Sequence, residues 1–166
     1  MKIALDVHYR PEGAKAVALA FEEWTDAQPL RIATAWIQPV ADYVPGQFYR
    51  RELPCLLRVL EQFDLDRVDL LLVDGYVDLD EAGRPGLGSY LYEALPRPIP
   101  IIGVAKKHFH SVGQAALPLY RGNSQKALYI SARDFPLPAA RECIARMTGP
   151  FRMPELLKIL DRHTKD

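Results

Sequence analysis

The sequence predicts an α/β fold built on one mixed sheet. Three strand-like runs joined by short turns extend as far as Ile37, and beyond them apolar strand runs alternate with helical patterns. The first arrangement is typical of an antiparallel meander, and the second is typical of parallel strands covered by helices. With 166 residues, 49% of them hydrophobic, the chain is expected to form a single domain over residues 1–166.

The antiparallel part is predicted from three strands and two turns. The strands cover Lys2 to Tyr9, Lys15 to Trp24 and Leu30 to Ile37. The intervening stretches, Tyr9 to Gly13 and Thr25 to Pro29, contain the Gly, Pro and Asp residues that favour tight turns. Strands connected this closely are expected to pair antiparallel.

The helical and parallel part follows a proline-containing loop. Apolar residues recur at helical spacing from Leu53 to Phe63, which places Glu52 at the helix start and Pro54 in the first turn. Farther on, the sequence predicts two apolar strands with a helix between them: Asp69 to Asp74, Leu87 to Leu95, and Ile99 to Ala105. The remaining candidates are a strand and two helices: Ala127 to Ser131, Leu137 to Met147, and the stretch that Pro154 opens.

A meander that leads into parallel βα units describes a ribonuclease H-like mixed sheet covered by helices. In such a sheet the first strand lies beside the first parallel strand. We therefore expect Asp6 and Asp74 to be neighbours at one edge of the sheet.

Composition narrows the functional classes. Lys plus Arg equals Asp plus Glu at 21 each, so binding to nucleic acid would have to depend on a local basic patch. Cys55 and Cys143 lack metal-binding spacing and are expected to be free thiols in a reducing compartment. Without a signal peptide or an apolar run long enough to span a bilayer, a cytoplasmic protein with no membrane partner is expected.

Three carboxylates have suggestive positions. Asp74 ends a buried apolar run, Asp6 interrupts the apolar first strand, and Glu52 begins a helix. Clustered carboxylates repel one another, so they would be stable together only around a divalent cation, and oxygen ligands suit Mg²⁺ or Mn²⁺. The alternative is that each acid is simply a solvated strand-end or helix-start residue, as Glu often is at a helix N-terminus.

Five short motifs occur in one order along the chain. They are Ala4-Leu5-Asp6-Val7-His8-Tyr9, Tyr43-Val44-Pro45-Gly46 with Arg51-Glu52, Val73-Asp74-Gly75, Gly103-Val104-Ala105-Lys106-Lys107, and Phe151-Arg152-Met153-Pro154-Glu155. In this order and spacing the chain resembles the endonuclease V family over nearly its whole length.

The resemblance implies a metal-dependent endonuclease. Such an enzyme hydrolyses a phosphodiester bond near a deaminated base, chiefly inosine, in DNA or RNA, and leaves a 3′-hydroxyl and a 5′-phosphate. The implied cofactor is Mg²⁺, with Mn²⁺ as a substitute, and the implied partner is nucleic acid. The implied metal ligands are Asp6, Glu52, Asp74 and Asp161, and the implied catalytic residues are these four together with Lys106.

Substrate-binding positions are implied in the same way. The loop Tyr43-Val44-Pro45-Gly46 matches a wedge that enters the duplex, and the alternative is a tight loop with a core-facing tyrosine. Phe48 and Gly75 match the pocket for a flipped base. Arg51 and Lys107 belong to a set of basic residues that could follow the phosphate backbone.

The segment after Asp74 departs from the family pattern. Val77 replaces a glycine, Asp80 stands where relatives have a histidine, and Ser131-Ala132-Arg133 alters a second segment. The acidic set is therefore complete, whereas the base pocket is changed. Two alternatives stay open: a metal-dependent nuclease with a different nucleic-acid substrate, and a non-catalytic module that binds nucleic acid or protein.

Overall fold

The structure is a computed structural model that describes residues 1–38 and 48–166, with the main chain alone at 48–50. The strands are β1 (Lys2–Arg10), β2 (Gly13–Phe21), β3 (Arg31–Ile37), β4 (Leu70–Asp74), β5 (Ile101–Ala105), β6 (Leu117–Leu119) and β7 (Leu128–Arg133). The helices are α1 (Phe48–Leu60), α2 (Leu87–Ala94), α3 (Leu137–Arg146) and α4 (Glu155–Lys165).

The strands form one mixed sheet in the order β3-β2-β1-β4-β5-β7-β6. The meander β1-β2-β3 is antiparallel, β1 pairs with β4 in parallel, and β4 pairs with β5 in parallel. The predicted α/β class is confirmed, and the strand order is compatible with the ribonuclease H-like prediction. Leu5 pairs with Val73, so the next residues along these strands, Asp6 and Asp74, lie side by side as expected.

Both faces of the sheet are covered, which explains the continuous apolar runs in β2 and β4. On one face, Leu5 and Val73 pack into a core with residues of α1 and α2. On the other face, Ala4 and Leu72 pack into a second core with residues of α3 and α4. Since side chains alternate between the faces, Asp6 follows Ala4 toward α4.

The start of α1 and the presence of β6 differ from the sequence prediction. Helix α1 begins at Phe48, so Pro54 lies inside the helix instead of in its first turn. Proline removes one helical hydrogen bond, but burial of the apolar face around Leu56 and Val59 compensates for that loss. The unpredicted β6 is a three-residue edge strand that contains Pro118, a residue that weakens a strand pattern.

Membrane-spanning character is not found in the helices described. None of them combines the length and the apolar composition that crossing a bilayer requires.

Candidate active site

Two aspartates form the centre of the site: Asp74 is the last residue of β4, and Asp6 lies in the middle of β1, one residue beyond the last pair that β1 forms with β4. Burial raises the pKa of Asp6 to about 7, and repulsion from the Asp74 carboxylate adds to the shift. The backbone N–H of Val7 donates to Asp6 Oδ1 at 2.9 Å and partly offsets it. Partial burial also raises the pKa of Asp74, although its side chain remains 42% exposed. Both carboxylates are therefore held where their negative charge is poorly solvated.

Two further acids approach this centre from opposite faces of the sheet. Glu52 comes from α1, and burial followed by the charges of Asp74 and Asp6 raises its pKa to about 7. Asp161 comes from α4, and its charge contributes to the raised pKa of both Asp6 and Asp74. The four predicted acids thus interact through their electric fields, as expected for one site.

The end of α4 is fixed to the sheet by two cations. Arg10 Nη2 donates to the backbone oxygens of Thr164 at 3.0 Å and Asp166 at 2.7 Å, and Lys15 Nζ donates to Asp166 O at 3.1 Å. Cations at a helix C-terminus satisfy its free carbonyl groups and oppose its dipole. These bonds fix the C-terminal end of α4, the helix that carries Asp161, to β1 and β2.

Lys106 follows β5 directly and provides a positive charge beside the acids. Its Nζ lies 3.6 Å from Asp74 Oδ2, and its side chain is 41% exposed. A cavity beneath α4 is lined by Asp6, Asp74, Lys106 and Asp161 above an apolar floor. The structure therefore brings together four of the five predicted catalytic residues around one cavity, with Glu52 entering from the other face.

A second and larger groove begins at the same acids. It encloses about 710 Å³ and includes Glu52 and Asp74 in its lining. Its other lining residues come from the segments after β4 and β5 and from the start of α2: Gly75, Tyr76, Leu79, Arg84, Pro85, Gly86, Leu87, Tyr90, Lys107, His108 and Phe109. This volume lies within the range of about 300 to 1,000 Å³ that is usual for small-ligand pockets.

The segment after β4 forms one wall of this groove. Gly75 has a φ of +143°, a value that strongly favours glycine. Val77, which the resemblance places where a glycine is expected, is buried in the core, and its N–H donates to Ser131 Oγ at 2.9 Å. Asp80 does not line the groove: its Oδ1 accepts from Arg84 N at 3.0 Å and closes a turn. Val77 and Asp80 therefore have structural roles in this chain.

Of the remaining predicted substrate-binding residues, the structure describes the side chains of Lys107 and Arg51. Lys107 is exposed and lines the groove. Arg51 is half-buried, and its guanidinium lies 3.6 Å from the centroid of the Tyr9 ring. The predicted wedge Tyr43-Val44-Pro45-Gly46 lies outside the described residues. Phe48 begins α1, but its side chain is also outside the description.

One charged residue near the site was not predicted to take part in it. Lys165 Nζ lies 2.9 Å from Asp161 Oδ2, and its raised pKa reflects that bond first and the charges of Asp6 and Asp74 to a smaller extent. The spacing of four residues on a helix is the sequence signal that could have identified this pair.

The donor set fits a hard divalent cation. Among the described residues, no three carboxylate, imidazole or thiol groups stand close enough to enclose an ion by themselves. Mg²⁺ does not require such a cage, because it is usually held by one or two carboxylates, several waters and substrate phosphate oxygens. Asp6 and Asp74 on adjacent strands supply such a pair, and their raised pKa values indicate that added positive charge would stabilise the site.

Without metal, the acids should make stability depend on pH. Asp6 and Glu52 have folded-state pKa values of about 7, above the ordinary values of 3.8 and 4.5. The folded protein therefore holds protons that the unfolded chain has released, so these groups lower the free energy of unfolding as pH rises from about 4 to about 7. We expect the melting temperature of Asp6→Asn to exceed that of the wild type by several degrees at about pH 8, and by less at about pH 5. Equal differences at both pH values would contradict the raised pKa.

Comparisons with known proteins were made over the whole chain. A sequence model for the family Endonuclease V matches residues 3–133. Endonuclease V from Thermus thermophilus is 31% identical over an alignment of 180 positions, which covers 94% of this chain and 77% of the relative.

Solved structures are similar as well. Human ENDOV aligns with a TM-score of 0.75 at 22% identity, over 99% of this chain and 82% of that one. Ciona intestinalis endonuclease V, in complex with a 24mer DNA containing an inosine followed by a ribo-adenosine, aligns with a TM-score of 0.78 at 19% identity, over 99% of this chain and 84% of that one. The chain therefore shares the fold of these structures.

Proposed function

The chain belongs to the endonuclease V family, and from this premise we propose that it is a divalent-metal-dependent endonuclease acting near a deaminated base, inosine, in DNA or RNA. The observation that carries the proposal is that one groove begins at the acids of the site. Asp74 lines both the cavity beneath α4 and the larger groove, and Glu52 lines the groove. A base held in the groove would thus place its neighbouring phosphate close to the carboxylates.

The groove has the chemistry of a base-binding site. Tyr76, Tyr90 and Phe109 supply aromatic surface, and Lys107 adds a positive charge at the same lining. Aromatic side chains bind unstacked bases through their ring faces, and cations bind the phosphates that flank them. The inosine-containing DNA bound to the Ciona relative supports the same class of ligand for this groove.

Asp6 and Asp74 are the residues that would hold Mg²⁺ or Mn²⁺, and Glu52 and Asp161 would complete the site through ligation or through waters. When bound, such an ion polarises a phosphoryl oxygen and lowers the pKa of an attacking water. The carboxylates would orient that water at phosphorus, and an oxygen of Glu52 that the ion does not bind would take up its proton.

Lys106 acts on the charge that develops during cleavage. Its Nζ, 3.6 Å from Asp74 Oδ2, is close enough to the acids to contact a phosphate bound between them. As water forms a new bond to phosphorus, the bond to the 3′ oxygen breaks, and the products are a 3′-hydroxyl and a 5′-phosphate. The ammonium group stabilises the extra negative charge on the phosphoryl oxygens in the transition state.

The test is cleavage of one end-labelled oligonucleotide that contains a single inosine, in DNA and RNA forms, beside identical strands with guanosine. We expect cleavage of the inosine strand with Mg²⁺ or Mn²⁺ and none in the presence of a chelator. An inosine strand that stays intact with both metals would reject the proposed specificity. A titration that detects no Mn²⁺ binding would reject the metal-dependent chemistry and favour a non-catalytic binding module.

A second candidate retains the chemistry and changes the substrate. It is favoured by the turn after β4, where Asp80 bonds to Arg84 N and Val77 is buried in the core, so neither presents a polar group to a base. A panel of undamaged and structured RNA and DNA substrates distinguishes the two candidates. Preferential cleavage of a strand without inosine, abolished by Asp74→Asn, would support this candidate.

A further inference from the structure

The segment that carries Lys106 and Lys107 is held from two sides by side-chain hydrogen bonds. Arg152 Nη2 donates to the backbone oxygen of Lys106, and Tyr76 Oη donates to the backbone oxygen of Lys107 at 2.5 Å. Lys106 is the first residue after β5 and is exposed. Its carbonyl group therefore depends on a side chain for a fixed orientation.

Arg152 connects three parts of the fold through one guanidinium group. In addition to Lys106 O, its Nη2 donates to Ala127 O at 2.7 Å, immediately before β7. Because β5 and β7 pair with each other, this group joins the ends of two adjacent strands to the loop that precedes α4. That loop leads into the helix bearing Asp161, so Arg152 links the backbone of Lys106 to the segment that precedes this helix.

The loop that carries Arg152 is itself fixed. Arg121, which is 7% exposed, donates through Nη1 to Phe151 O at 2.6 Å and through Nη2 to Met147 O at 2.6 Å. Further bonds reach Gly149 O and Arg152 O at 3.2 Å each. A buried guanidinium that satisfies several carbonyl groups rigidifies the segment around it. Arg152 is therefore anchored at its own backbone and can act as a rigid brace.

We propose that Arg152 is a positioning residue for Lys106, an inference that rests on the proposed nuclease function. The bond to Lys106 O fixes the peptide plane after that residue, and this plane sets the direction in which the lysine side chain leaves the backbone. Lys106 Nζ has to meet the phosphate beside Asp74, and a displacement of about 1 Å at a reacting group can lower the rate by up to about 100-fold. Arg152 is not required to touch the substrate for this role.

A double-mutant cycle tests this role. Arg152→Gln is expected to lower kcat by about tenfold or more while KM changes by less than about threefold, because the loss occurs in the transition state. In a Lys106→Met background the same substitution should have almost no further effect on kcat. Arg152→Lys, which keeps the charge and one donor group, should recover part of the rate. Equal losses in both backgrounds would overturn the proposal, since they would indicate a general structural role.

A second readout does not depend on cleavage. In protein containing isotope-labelled lysine, the NMR signal of the Lys106 side chain is identified by its loss in Lys106→Met. We expect Arg152→Gln to shift this signal toward those of solvated lysines, whereas Arg162→Gln should leave it in place. Arg162 is a matched control because it is an exposed arginine on α4, and its Nη2 lies 3.7 Å from Glu155 Oε1.

The two readouts separate the possible failures. If the wild type cleaves no substrate, the proposed function fails and the NMR comparison still tests the bond to Lys106. An unchanged lysine signal in Arg152→Gln would overturn the positioning role. If Arg152→Gln does not fold, Arg152→Met, which keeps an apolar stem and removes every donor group, gives the same two measurements, and an unshifted signal with an unchanged kcat in that variant would contradict the proposal.

Discussion

Replacing Asp74 by asparagine should abolish cleavage and at the same time stabilise the metal-free protein. The substitution removes the carboxylate that lines both the acid cavity and the groove, and a metal-ion contribution of several kcal/mol corresponds to a loss of about 10³-fold or more in kcat. Asp74 also raises the pKa of Asp6 and of Glu52. Without it, their ionisation at neutral pH is less costly to the fold. Cleavage assays and thermal melting at about pH 8 measure the two effects.

Loss of cleavage together with a gain in stability would distinguish a role of Asp74 in catalysis from simple unfolding. A variant that merely unfolds would lose activity and stability together. Asp69→Asn is the matched control, because Asp69 immediately precedes β4 at its other end and bonds the N-terminal ammonium of Met1 at 2.6 Å. That control should keep the cleavage rate within about threefold while losing stability, since the lowered pKa of Asp69 reflects this bond first. If the Asp74→Asn protein still cleaved the substrate, the proposal that Asp6 and Asp74 form the centre of the site would be wrong.

The sequence was most informative where local pattern and chain direction determine position. Strong alternation and short turns predicted β1, β2 and β3, and an apolar run predicted β4. Once β1 and β4 are parallel neighbours, the proximity of Asp6 and Asp74 follows from register alone. Glu52 and Asp161 depended on the family resemblance, because nothing in the local pattern of a helix shows which distant strand end it will face.

The remaining features depend on tertiary contacts between segments far apart in the chain. Arg152 reaches Lys106, and Tyr76 reaches Lys107, through bonds to backbone oxygens, and a backbone oxygen carries no residue identity that a motif could record. The start of α1 was misplaced because Pro54 indicates a helix start when propensity alone is considered. Packing of the helix against β1 and β2 outweighs that preference. Strand pattern and register thus placed Asp6 beside Asp74, while the supporting bonds required the assembled fold.

Replacing Lys106 by methionine should separate turnover from metal binding. Methionine keeps an unbranched apolar stem and removes the ammonium group that lies 3.6 Å from Asp74 Oδ2. Loss of one charge-stabilising group in a transition state lowers kcat by about 10²- to 10³-fold. The lysine charge also competes with a cation at Asp74, where it opposes the raised pKa. Affinity for Mn²⁺ should therefore stay the same or increase by a few-fold, as measured by calorimetric titration.

The neighbouring residue, Lys107, is the control for the separate effects of Lys106→Met on turnover and on metal binding. Both lysines are exposed, but Lys107 lines the groove, whereas Lys106 lines the acid cavity. Lys107→Met should mainly raise KM, because a contact with a flanking phosphate is made equally in the ground state and the transition state. If the two variants had identical kinetic profiles, Lys106 would be one more phosphate contact along the strand. Weaker Mn²⁺ binding in Lys106→Met would instead mean that the lysine organises the carboxylates, because removal of a competing positive charge cannot by itself weaken the binding of a cation.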